Sequence, residues 1–160
     1  MLSLEAALNA LPLQPGLQAF TVLEPLAYPP NARLRMGGDW LAYQAMTNGR
    51  AEIFLTRFPH PGAKYQVTQT GGTQAVWSLD GKKLFYLDAQ QRMTSVEIEI
   101  RGDDVEIGEP KTLFPTGIRH SIPLAGYDVT RDGRFLIVNS VTESTAPVVL
   151  VTNWESDLRK

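Results

Sequence analysis

The stretch Trp77–Ile98, WSLDGKKLFYLDAQQRMTSVEI, decides how the rest of the chain is read. Two short apolar runs, Lys83–Leu87 and Thr94–Ile100, flank a polar loop, and Asp80-Gly81 comes just before the first. Asp-Gly supplies the positive φ that a tight hairpin turn needs, with the aspartate side chain closing its own turn. In Thr94–Ile100, Ser95, Glu97 and Glu99 alternate with Val96, Ile98 and Ile100. A period of two marks a half-buried strand, suited to the outer part of a sheet.

The same grammar runs outward from there. From about Phe20 onward the apolar runs are short and rich in β-branched and aromatic residues: Trp40–Gln44, Glu52–Phe58, Lys64–Gln69, Ala75–Ser78, Gly126–Val129, Phe135–Val141 and Val148–Trp154. Between them stand the turn signals Gly37-Gly38, Asn48-Gly49, Gly71-Gly72, Gly102-Asp103 and Asp132-Gly133. Many short strands with no long helical pattern between them predict an all-β fold. Phe135–Val141, FLIVNSV, is apolar on both faces at its start and is expected to be an inner strand covered on both sides. Residues 1–19 read differently. Leu2, Leu4, Leu8 and Leu11, with Ser3 as an N-cap and Pro12 as a stop, predict a short helix, the alternative being a loosely held tail. Glu5, Pro12, Pro15 and the lack of a basic start argue against a signal peptide.

Three segments repeat one another. They begin at Met36, Ser78 and Thr130, and each has a glycine turn, an apolar strand, a polar loop and a second apolar strand. The anchoring glycines Gly38, Gly81 and Gly133 are 43 and 52 residues apart, near the length of one four-stranded propeller blade. The loop Thr116–Leu124 accounts for the longer interval. This spacing predicts a partial β-propeller of about three four-stranded antiparallel blades, over residues 20–63, 64–110 and 111–160. A blade cannot bury both faces alone, so neighbours stack around an axis. Three blades are too few to close a ring of about four to eight. The chain is therefore expected to be part of a longer one, to self-associate through open blade faces, or to be capped by its N-terminal segment.

The residues that carry this repeat resemble a known family. The usual core of the TolB-type propeller repeat, W-S-P-D-G-K-x-L-x-Y, is matched by Trp77, Ser78, Asp80, Gly81, Lys82, Leu84 and Tyr86, with Leu79 in place of proline. Tyr127, Asp132, Gly133 and Arg134 repeat the theme, with Arg131 at the proline position, and Gly37-Gly38 replaces Asp-Gly in the first copy. From roughly Leu23 to Lys160 the arrangement is similar to the C-terminal blades of bacterial membrane-associated serine/threonine protein kinases that bear such a propeller. The resemblance implies a sensor or scaffold region, periplasmic if part of a membrane-bound kinase and cytoplasmic if the chain is complete. It does not carry kinase activity over, because the Gly-rich loop, strand lysine, H-R-D and D-F-G motifs are missing from the sequence.

Composition narrows the chemistry further. With 43% hydrophobic and 20% charged residues the chain is ordinary globular material, and a net charge of −2 gives no footprint for nucleic acid. No apolar run approaches the ~18–20 residues that span a bilayer, so no membrane insertion is expected. Without cysteine there is no disulfide, thiolate nucleophile or cysteine-ligated metal. No G-x-S-x-G elbow supports a hydrolase triad, and Gly71-Gly72 does not follow the P-loop pattern. His60, His120 and the pair Asp103-Asp104 fit no metal-ligand spacing, and Glu97 and Glu99 read as surface charges. Aromatic residues on strands are expected in cores between sheets, with Tyr43 and Tyr127 presenting hydroxyls at an edge. Neither enzymatic activity nor cofactor nor metal is predicted.

One binding expectation remains. Ligands of propellers usually meet loops at one mouth, here Ala45–Arg50, Thr70–Gln74, Asp88–Arg92 and Thr116–Leu124. These loops contribute Arg50, Gln74, Gln91, Arg92, Arg119 and His120, side chains suited to hydrogen bonding and charge pairing. The expected function is a non-catalytic module binding a protein partner or small ligand. The alternative is an accessory propeller of an enzyme, a kinase or a serine peptidase, whose catalytic domain lies elsewhere.

Overall fold

In a computed structural model, which describes residues 5–13, 15–27, 31–118 and 126–138, the apolar runs fold into thirteen antiparallel strands and, among the described residues, no helix. β1 (Glu5–Ala10) and β2 (Phe20–Ala27) form a hairpin. β3 (Ala32–Leu34), β4 (Trp40–Thr47), β5 (Arg50–Arg57) and β6 (Tyr65–Gln66) follow as a four-stranded meander in sequence order. β7 (Gly72–Trp77), β8 (Lys83–Asp88), β9 (Arg92–Arg101) and β10 (Asp104–Ile107) make a second meander of the same order. β11 (Lys111–Pro115) shares the outer edge of β9 with β10, pairing with Arg92–Ser95 while β10 pairs with Ile98–Arg101. β12 (Tyr127–Val129) and β13 (Phe135–Ile137) close the described chain as another hairpin.

Strand alternation explains how the four sheets stack. Successive side chains on a strand point to opposite faces, so a strand covered on both sides supplies two cores. On β4, Trp40 and Ala42 face the second meander while Leu41 and Tyr43 face the β1–β2 hairpin. On β8, Leu84 and Tyr86 join Trp40, Ile53 and Leu55 in the central core, while Leu87 turns the other way to Met93, Ile118 and Tyr127. Leu55, Leu84 and Ile53 are fully buried. Each such side chain contributes about 1.5–3 kcal/mol by leaving water. Aromatic edges lock the last interface, where Phe135 meets Phe85 and Phe114 at near-perpendicular angles. On β9 the alternation separates buried Val96 and Ile98 from exposed Glu97 and Glu99.

Three sequence expectations meet the structure differently. The short N-terminal helix is corrected to a strand. Within Glu5–Ala10, Leu8 and Ala10 pack toward Val22, Leu23, Leu41 and Tyr43, while Asn9 turns outward and accepts from the Thr21 hydroxyl at 2.9 Å. Leucines at positions two and four apart satisfy either period, and a lone helix of two turns gains too little to compete with pairing to β2. Tyr65–Gln66, placed at the start of the second repeat, closes the first meander instead. On β13, Phe135 and Ile137 pack inward but Leu136 is 69% exposed, so the expected cover on both faces is present on one among the described residues. Val148–Trp154 lies outside the described residues.

The connections sort to two ends. At one end are the β4–β5 turn, the β8–β9 turn and the segment entering β7, with Gly71 packed against Ala89 and Arg50. The β4–β5 turn has positive φ at both Asn48 and Gly49, as the type I′ hairpin requires. At the other end are the β3–β4, β7–β8 and β12–β13 turns together with the β1–β2 and β5–β6 loops. There Arg35 bonds to Gly81, and Arg57 bonds to Asp103.

Candidate functional site

The structure gathers Arg50, Gln74, Gln91 and Arg92 at the first of these ends and spends each of them internally. Arg119 and His120 lie outside the described residues. Arg50 donates to the Glu52 carboxylate at 3.0 Å and to the Gln69 carbonyl at 2.9 Å. Glu52, only 1% exposed, also accepts from the Thr68 hydroxyl and from the Gly71 amide at 3.0 Å. Thr68 in turn accepts from the Ile53 amide at 2.9 Å. A carboxylate buried this deeply is stable only with such a full set of donors. The network clamps the β6–β7 connection onto β5.

Gln74 and Gln91 play related parts one sheet further on. The Gln74 side-chain oxygen accepts from the Gly126 amide and its carbonyl from the Tyr127 hydroxyl, both at 2.7 Å. That hydroxyl, expected at an edge, is thus inside, and burial pushes its pKa far up. Tyr43, the other edge candidate, is also buried, and desolvation raises its pKa as well. The Gln91 carbonyl accepts from the Thr116 hydroxyl at 2.7 Å. Arg92 pairs with Asp88 at 2.7 Å across its own turn. Of the four side chains, Gln74 ties one sheet to the next, Arg50 clamps the β6–β7 connection, and Gln91 and Arg92 close their own turn.

A different site lies at the opposite end. A groove of about 570 Å³ runs between the β7–β8 turn and the β12–β13 turn. Its lining includes the apolar side chains of Phe85, Val129, Leu79 and Met36 together with Lys83 and Arg131. The two turns are built alike. Ser78 donates to Asp80 at 2.6 Å and accepts from the Lys83 amide at 2.9 Å. Thr130 donates to Asp132 and accepts from the Arg134 amide at 3.0 Å. The Ser78 hydroxyl, then the Lys82 amide, holds the Asp80 carboxyl below the usual carboxylate range. The Thr130 hydroxyl, then Arg134, does the same for Asp132. Both acids stay ionised at neutral pH, and Asp80, Lys83 and Arg131 put both signs of charge in the lining beside Phe85 and Val129. Such a surface can hold an extended chain with mixed charged and aliphatic side chains.

Ser78 and Thr130 are spent on turn geometry, with lone pairs and proton both engaged. Among the described residues no three His, Asp or Glu side chains gather as metal ligands. The S-x-D-G and T-x-D-G spacing that builds the groove walls is visible in the sequence, whereas Glu52 is marked only by an acid opening an apolar strand. No family model and no curated protein matches the chain.

Proposed function

We propose that the chain is a run of TolB-type β-propeller blades acting as a non-catalytic binding module, with the groove between the Ser78 and Thr130 turns as its contact surface. The observation that carries this reading is the stack itself. Consecutive antiparallel sheets share buried cores, and the turns at the three repeating glycines, Gly38, Gly81 and Gly133, fall at the same end. That is the arrangement radial stacking requires. The repeat's resemblance to propellers of bacterial signalling kinases supports a sensor or scaffold role. The partner class is a protein segment, because the lining sets apolar Phe85, Val129 and Leu79 beside charges of both signs, Asp80, Lys83 and Arg131.

Selection of displayed peptides on the purified chain tests this. Binders are expected whose affinity falls about tenfold in Arg131→Glu and is unchanged in Arg50→Ala. Binders indifferent to Arg131 and Met36 substitutions, or no enrichment at all, overturn the assignment.

A further inference from the structure

We propose that the groove between the Ser78 and Thr130 turns selects an acidic–aliphatic segment of a partner protein, one whose aspartate or glutamate pairs with Arg131. This inference rests on the groove being the contact surface and adds which partner chemistry it prefers. Met36, Leu79 and Arg131, from three successive repeats, come together in its lining. Met36 is 64% exposed and Leu79 38%, so aliphatic surface stands open beside a cation. An unbranched, polarizable thioether adapts to aliphatic side chains of different shape.

The charges of the lining fix the sign of the partner. The Lys83 ammonium already meets the Glu97 carboxylate at 3.3 Å, across the β8–β9 pair. Asp80 Oδ1 accepts from the Ser78 hydroxyl at 2.6 Å and from the Lys82 amide at 3.1 Å, and the charges of Lys82 and Lys83 also favour its ionised form. Asp132 is bonded to Thr130 and Arg134. Arg131 is different: it is exposed and forms no ion pair among the described residues. Asp80, Lys83 and Arg131 together leave the lining with a surplus positive charge, on a chain whose net charge is −2. A basic segment would bring its cation to a lining that already holds Lys83 and Arg131. A carboxylate instead meets a planar guanidinium able to offer two parallel N–H bonds. Aliphatic neighbours of that carboxylate then cover Met36 and Leu79 and exclude water from the ion pair.

Selection of displayed peptides on the purified chain tests the proposal, followed by binding of one selected peptide and two variants of it. Aspartate or glutamate is expected to be enriched over lysine and arginine, beside leucine, isoleucine or valine. Replacing the peptide's acid by the matching amide is expected to weaken binding about fivefold on the unaltered chain and to change nothing on Arg131→Gln. Replacing the peptide's aliphatic neighbour by serine is expected to weaken binding to both chains alike. Arg131 is exposed, so an unchanged melting curve is expected of Arg131→Gln. Should that variant misfold, the acid and amide peptides on the unaltered chain decide alone. Three outcomes would overturn the acidic preference while leaving the groove as the contact surface. The peptides depend on Met36 and Leu79 yet are basic, their amide versions bind as well as the acids, or the loss on amidation persists in Arg131→Gln. Peptides indifferent to Met36→Ser, Leu79→Ser and Arg131→Gln alike, or no enrichment, would overturn both readings.

Discussion

The Arg35 guanidinium donates to the carbonyl of Gly81 at 3.0 Å, joining the glycine turns of two consecutive sheets that lie 46 positions apart in the chain. Gly81 has φ +67, and a Cβ placed there would stand 2.6 Å from Arg35 Nε. Gly81→Ala is therefore expected to lose the link and strain the turn, costing about 1–2 kcal/mol in urea unfolding. Gly49→Ala, at φ +76 with open space around it, isolates the conformational part of that cost. Equal losses in the two variants would show that the Arg35 contact adds nothing.

Glu52 is a buried acid bonded to three partners. Glu52→Ala strips the partner from the Gly71 amide, the Thr68 hydroxyl and Arg50 together. A loss of about 3 kcal/mol is expected. Native-state hydrogen exchange should localise it, with Gly71 and Ile53 amides losing protection before those of β8. A loss under about 0.5 kcal/mol would mean water replaces the carboxylate.

The turn aspartates set the acid side of the stability profile. Asp80 and Asp132 have carboxyl pKa values below the ordinary one, so the folded state holds fewer protons there than the unfolded state. Their contribution is complete above the unfolded value of about 3.9 and is lost as pH falls below it. Both acids are exposed, so solvent screening keeps the effect small. Melting temperature measured from pH 5 down to about pH 2 is expected to fall less steeply in Asp80→Asn with Asp132→Asn than in the unaltered chain.

Tyr86 sets part of the alkaline side. Burial, with the charges of Asp88 and Glu52 adding to it, pushes its phenol up to about 12. The unfolded phenol ionises near 10, so stability is full below that pH and declines as the pH rises toward 12. Tyr86→Phe should flatten this limb in an alkaline denaturation series. In an ultraviolet titration it should also remove one late-ionising phenol. An unchanged number of late-ionising phenols in the variant would overturn the assignment to Tyr86, since Tyr127 stays late in either case.

Much of the fold was legible because local chemistry decides it. Asn48-Gly49 and Asp80-Gly81 place their hairpins without reference to anything distant, and the alternation of Val96 and Ile98 with Glu97 and Glu99 fixes which face is wet. The β1 strand was not legible, since Leu8 and Ala10 fit two periods and only the partner strand decides between them. Four of the candidate loop residues share one end, where each makes hydrogen bonds within the fold. Gln74 looks free in sequence because its partner stands 52 residues away. The groove escaped for the same reason, being made by turns from two different repeats.

In Trp40–Tyr43 each strand position answers to one neighbour only, even numbers to the second meander and odd numbers to the N-terminal hairpin. Two independent codes are interleaved in four residues. Evolution can thus retune one seam of the stack without touching the other. Among descendants of this chain, substitutions at Trp40 and Ala42 should drift in concert with Ile53, Trp77 and Leu84. Those at Leu41 and Tyr43 should keep time with Val22 and Leu23.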